Sequence, residues 1–96
     1  MSRAFVKEDG AETPRRYSLP PRDDLGFPAA AARVLLDGAN VGDSAGAEEA
    51  TGYRWGDPRL IQHVEWIRER AAADGDDRLE VLAERFLRVA RAADTR

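Results

Sequence analysis

The stretch that decides the fold is residues 57–90, DPRLIQHVEWIRERAAADGDDRLEVLAERFLRVA. Asp57-Pro58 is typical of a helix start, because aspartate caps the first turn and proline fits its first position. The apolar residues that follow recur at helical spacing: Leu60, Ile61, Val64, Ile67 and Ala71. Gly75 then supplies a residue that can end the helix in the left-handed conformation.

A second apolar stripe follows Asp76 and Asp77, either of which can cap the next helix. Its members are Leu79, Leu82, Ala83, Phe86, Leu87 and Ala90. The link Asp74-Gly75-Asp76 is so short that the two helices must run antiparallel. The sequence therefore predicts a helical hairpin.

Two shorter helices are expected upstream of the hairpin. Pro28–Asp37 is rich in alanine and ends before Gly38, which is expected to act as its left-handed stop. Ala45–Thr51 follows Ser44 as a cap and ends before Gly52. No run of residues alternates as a strand would. We predict an all-α fold for residues 25–94, a helical hairpin with one or two short helices packed against it.

Residues Met1–Asp24 are expected to form a disordered N-terminal tail. Pro14, Pro20 and Pro21 lie among charges there, and the few apolar residues show no period. Pro20-Pro21 favours a stiff extended step rather than a helix. The tail also lacks the apolar segment of a secretory signal.

Composition excludes several classes of function. The chain has 96 residues and a net charge of −3. It therefore lacks the positive potential by which proteins bind nucleic acid, and specific DNA binding is not expected. It has no cysteine and a single histidine, His63, which leaves little for a metal site or a catalytic triad. No apolar stretch is long enough for a membrane span. Of 41 hydrophobic residues 17 are alanine, so the core is thin.

The sharpest candidate site is an acidic tip formed by Asp74, Asp76, Asp77 and Glu80. Carboxylates at the end of a hairpin could offer oxygen ligands to Mg²⁺. Equally, aspartate is a preferred helix cap, and acids in a first turn complement the helix dipole. The sequence leaves both interpretations open.

Candidate partner-binding residues are Tyr53, Arg54, Trp55 and Trp66. Tyrosine, tryptophan and arginine anchor many interfaces, and glycines bracket the Tyr53–Trp55 loop. The same loop could instead plug the thin core, with Arg54 stacked on a ring. Trp66 lies about 150° from the apolar stripe of its helix. It is either an exposed apolar spot or, as we expect, packed under the first helix.

Arginine outnumbers lysine 14 to 1. The arginines at 78, 85, 88 and 91 spiral around the polar side of the last predicted helix. A solvated face accounts for them, and an acidic protein partner is the alternative.

Two segments resemble the bacterial Gre transcript-cleavage factors, which enter the secondary channel of RNA polymerase. Met1–Asp9, followed by Leu19-Pro20-Pro21-Arg22, is similar to the leader of some Gre-type proteins. The run Ile67–Ala71, then Gly75-Asp76, Glu80 and Ala83-Glu84, resembles the family's hairpin tip. The resemblance implies that Asp76 and a nearby glutamate help hold a catalytic Mg²⁺ in the polymerase, where backtracked RNA is hydrolysed.

Leu79 stands where that family carries its glutamate, so we expect a non-catalytic or weakly active transcription accessory protein. It would bind RNA polymerase in the cytoplasm through its acidic hairpin tip, with no cofactor or metal of its own and no catalytic residue. The alternative is a small helical protein–protein interaction module unrelated to transcription. The residues indicate no stand-alone enzyme, because no nucleophile and base are paired.

Overall fold

A computed structural model describes residues 17–95, and in these the fold is all-helical. Helix α1 is Phe27–Asn40, α2 is Ser44–Thr51, α3 is Ile61–Asp74 and α4 is Asp77–Asp94, with a 3₁₀ turn, Pro58–Leu60, leading into α3. The described residues contain no strand. The predicted fold class is confirmed.

Helix α1 runs three residues past its predicted end, because Gly38 is not the stop that the sequence suggested. Gly38 is buried inside the helix, and a Cβ there would lie 2.6 Å from the Cβ of Ala47 in α2. The glycine instead lets α1 and α2 approach closely. Ser44 is likewise the first residue of α2 rather than its cap, a position held by Asp43.

The ends of the hairpin helices follow the predicted capping residues. The Asp57 carboxylate accepts a hydrogen bond from the Arg59 backbone N–H at 2.9 Å, where the 3₁₀ turn starts. Asp76 rather than Asp77 is the cap of α4, and Gly75 is left-handed with φ 74°. Glycine adopts this conformation without the strain that a side chain would add.

Helices α3 and α4 are antiparallel, as their side-chain pairs show. Glu65 near the start of α3 accepts a hydrogen bond from Arg91 near the end of α4 at 2.6 Å. Farther along, Arg68 and Glu84 lie 3.9 Å apart. The predicted hairpin is confirmed, and α1 packs against both of its helices.

The core lies where α1, α3 and α4 meet. Both predicted stripes face it, with Ile61 and Leu79 only partly buried at its margin. The largest side chains that are fully buried are Phe86, Leu35, Leu36, Leu60, Leu87, Val64 and Thr51. Phe86 has no exposed surface. A chain this short buries few large apolar side chains, so its stability depends on each of those in the core.

Part of the predicted tail, from Tyr17 to Arg22, is in contact with the helices. The Tyr17 hydroxyl donates to the Asp43 carboxylate at 2.7 Å, and Leu19 packs on the core with Tyr17. Arg22 donates to the carbonyls of Ala50 and Thr51 at 3.3 and 3.4 Å, at the end of α2. A cation suits a helix C-terminus, whose carbonyls carry partial negative charge. Residues 1–16 of the predicted tail lie outside the described residues.

Phe86→Ala should lower the free energy of unfolding by about 3–5 kcal/mol, because it leaves a cavity at a fully buried position. The measurement is the midpoint of urea unfolding followed by circular dichroism. Val81→Ala is the matched control on the same helix, where the side chain is 40% exposed and little should change. Equal midpoints for the two variants would contradict a core centred on Phe86.

Candidate functional site

The acidic tip lies at the end of the hairpin, as the sequence predicts. Asp74 is the last residue of α3, Asp76 is the N-cap of α4, and Asp77 is the first residue of α4. All three are exposed, while Glu80 is half-buried in the next turn. The Asp76 carboxylate accepts a hydrogen bond from the Leu79 backbone N–H at 3.1 Å. Capping thus accounts for Asp76, and Asp77 and Glu80 lie where acids complement the helix dipole.

The tip does not project beyond the rest of the molecule. The Arg78 guanidinium, in the first turn of α4, donates to the side-chain oxygen of Asn40 at 2.9 Å. Asn40 is the last residue of α1, so α1 extends alongside the hairpin as far as its tip. Among residues 17–95, no three histidine, aspartate or glutamate side chains are grouped to hold a metal ion.

The Tyr53–Trp55 loop covers the core. The Trp55 ring meets Phe86 edge-on at 5.0 Å between centroids, and the Tyr53 ring stacks on Phe27 at 6.3 Å. The Trp55 backbone N–H donates to Glu48 of α2 at 2.8 Å. Both rings are half-buried, the arrangement expected if the loop plugs the core. The partner-binding role of Tyr53, Arg54 and Trp55 stays a prediction. Of these three residues only Arg54 is exposed.

Arg59, not Arg54, stacks on the tyrosine of this loop. Its guanidinium carbon lies 4.8 Å from the centre of the Tyr53 ring, and it donates to the Asp57 carboxylate at 2.7 Å. This hydrogen bond holds the pKa of Asp57 below its ordinary value, although partial burial opposes the shift. Because the folded-state pKa is lowered, the contact stabilises the fold above the unfolded-state pKa and is lost as the pH falls through the folded one.

Trp66 is the exposed aromatic residue among residues 17–95, with 61% of its surface accessible. The expectation that it packs under the first helix is wrong. Helix α1 presents Ala29 and Arg33 on this side, and neither covers the indole. The Arg70 guanidinium carbon instead lies 5.5 Å from the Trp66 ring centre, one turn along α3. This distance is within the range of a cation–π contact.

A groove between α1 and α3 runs beside Trp66. Its volume is about 440 Å³ and its walls are Ala29, Arg33, His63, Trp66 and Ile67. We call these five residues and Arg70 the Trp66 face. A neighbouring cleft of about 260 Å³ continues from Trp66 and Arg70 to Asp74 and Asp76.

Of the three predicted features, the structure brings Trp66 and the acidic tip together and places the Tyr53–Trp55 loop elsewhere. Trp66 and the acidic tip share one continuous surface, whereas Tyr53 and Trp55 belong to the core. Arg33 and Arg70 were missed by the sequence argument. Arg70 follows Trp66 by four residues, so the helical period could have placed the two side by side. Arg33 comes from another helix, and only the fold brings it there.

Asp76→Ala should lower the free energy of unfolding by about 1 kcal/mol, because the Leu79 N–H loses its acceptor. Asp76→Asn keeps an acceptor and should lose only the dipole interaction, about 0.3–1 kcal/mol. Urea unfolding compares them with Asp74→Ala, an exposed acid at a helix C-terminus, where removal should be neutral or slightly stabilising. If Asp76→Ala behaved like Asp74→Ala, the capping role would be excluded.

No helix among residues 17–95 combines the length and apolar character needed to cross a membrane. Compared with known proteins, the chain matches no family model, no curated protein and no solved structure. The resemblance to Gre factors therefore stays a prediction.

Proposed function

We propose that the chain is a non-catalytic protein–protein interaction module that docks a partner through the Trp66 face. The observation that carries the proposal is the exposure of Trp66 at 61% in a chain with only two tryptophans. Covering an indole with a partner removes a large apolar area from water. Tryptophan and arginine are also the residues most enriched among those that dominate binding energy.

The residues around Trp66 suit a partner surface that combines apolar and charged groups. Arg70 holds one side of the ring, and Arg33 lines the groove from α1. Arg33 is itself hydrogen-bonded to Asp37 at 3.0 Å, with both side chains about half exposed. Its guanidinium is thereby positioned to receive a second carboxylate, since it carries five donors in a fixed plane.

The groove supports binding better than catalysis. His63 lines it beside Trp66, but the other groove residues, Ala29, Arg33 and Ile67, provide no nucleophile for it to activate. The packing of α1 along the hairpin also favours a compact module over a free-standing hairpin that would reach into a deep channel.

Bacterial RNA polymerase is the first candidate partner, on the Gre resemblance. Asp74 and Asp76, two acids of the candidate tip, are exposed at the hairpin end and share a cleft with Trp66. A partner seated on that cleft would contact indole and carboxylates together. We propose a cytoplasmic accessory role with weak or absent RNA cleavage, because Asp76 already serves as a cap.

In a binding titration with purified bacterial core RNA polymerase, Trp66→Ala should weaken affinity about tenfold or more, since a central aromatic anchor is lost. The matched control is Leu25→Ala, an apolar side chain that is 99% exposed and lies off the Trp66 face. In the same titration, the triple variant Asp74→Asn, Asp76→Asn, Asp77→Asn measures how much the acidic tip contributes to affinity.

Absence of binding by the wild-type chain would overturn the polymerase assignment. The interaction module is then tested by quantitative capture from the native cell, which compares wild type, Trp66→Ala and Leu25→Ala. Proteins retained by wild type and Leu25→Ala but lost with Trp66→Ala are expected. If Trp66→Ala retained every captured protein, the Trp66 face would not be the docking surface.

A further inference from the structure

The solvent side of α4 carries a second patch of unusual composition. Its residues are all exposed: Arg78, Val81, Arg85, Arg88, Val89 and Ala92. We call them the α4 outer face. At about 100° per residue they fill a sector about 100° wide, and that sector contains no acid. A chain with net charge −3 thus presents here only cations and apolar groups.

Arg85 lies at the centre of this face and has no neighbouring carboxylate along the helix. The residues one turn before and after it are Val81 and Val89, and Arg88 lies three residues on. Within residues 17–95, no hydrogen bond or ion pair engages Arg85 or Arg88. By contrast, Arg68 and Arg91 each pair with a glutamate across the hairpin. No acid lies three or four residues from Arg85 along the helix, so an acidic partner would supply the countercharge that α4 does not.

The two valines are exposed at 40% and 47%. With Arg85 between them they form a straight row at i, i+4 and i+8, about 12 Å long. Rows at this spacing are the ridges by which one helix packs on another. A nucleic-acid backbone would use the arginines but would leave the valines in water, and the negative net charge opposes it.

We propose that the α4 outer face is a second docking surface, which takes an acidic amphipathic helix of a partner protein. Carboxylates of that helix would pair with Arg85 and Arg88, and its apolar side chains would cover Val81 and Val89. The arginine guanidinium accommodates a carboxylate through two parallel hydrogen bonds. This proposal is independent of the Trp66 face, since no residue is shared.

The test is a titration of the isotope-labelled full chain, followed by backbone amide shifts in NMR. The probe is a synthetic helix of about 20 residues, a length that supports helicity, with glutamate and leucine alternating at i, i+4 along one face. Shifts should be confined to residues 78–92 and should diminish as salt is raised. Arg85→Glu should weaken binding about fivefold or more, since attraction becomes repulsion.

The double variant Gln62→Glu, Ala72→Glu is the matched control, an equal change of net charge at exposed positions of α3 outside both faces, and should leave affinity within about twofold. Absence of shifts on α4, equal losses for the two variants, or equal binding of a probe with lysine in place of glutamate would overturn the proposal. So would a short DNA duplex that shifts residues 78–92 more strongly. Concentration-dependent shifts without probe would assign the face to a second copy instead.

Discussion

The edge-on contact of Trp55 with Phe86, at 5.0 Å between ring centres, is the interaction on which the arrangement depends. Helices α1, α3 and α4 converge on Phe86, which is fully buried, and many of the apolar residues around it are small. The Trp55 ring, from the connecting loop, covers part of the remaining surface of this core. Aromatic pairs in this geometry stabilise a fold by about 0.5–1.5 kcal/mol beyond the area they bury.

This use of Trp55 determines which aromatic residue is left for a partner. Residues 17–22 contribute further cover, with Tyr17 held by Asp43 and Arg22 held at the end of α2. Because Trp55, Tyr17 and Leu19 cover the core, Trp66 does not contribute to it. Beside Trp66, helix α1 carries Ala29 and Arg33. The exposed indole and the acidic tip consequently form one surface on the α1 side of the hairpin.

Periodicity and capping residues together predicted the hairpin, because each stripe repeats over several turns and the short link between the helices carries a glycine and a cap. It failed where a tertiary contact overrides a local signal. Gly38 has the residue type of a helix stop, yet its lack of a side chain serves the approach of Ala47. Tyr17 lies among prolines and charges, and its hydrogen-bond partner Asp43 is 26 residues away in the sequence.

The candidate site was predictable to a similar extent. The acids of the tip follow directly from the short link between two helices. The different fates of Trp55 and Trp66 do not follow from the sequence. Trp55 lies in a loop without a period, Trp66 lies off the apolar stripe of its helix, and the position of the loop relative to Phe86 decides which of them is covered. The place of Arg33 could not be predicted from the sequence either, since it reaches the Trp66 face from another helix.

The most direct test of this account is acrylamide quenching of tryptophan fluorescence in two single-tryptophan variants. Trp66→Phe leaves only Trp55, whose emission should be blue-shifted and shielded from the quencher. Trp55→Phe leaves only Trp66, whose emission should be red-shifted and readily quenched, as 61% exposure requires. Shielded emission from Trp66 in the isolated monomer, or freely quenched emission from Trp55, would contradict the assignment of one indole to the core and the other to a partner.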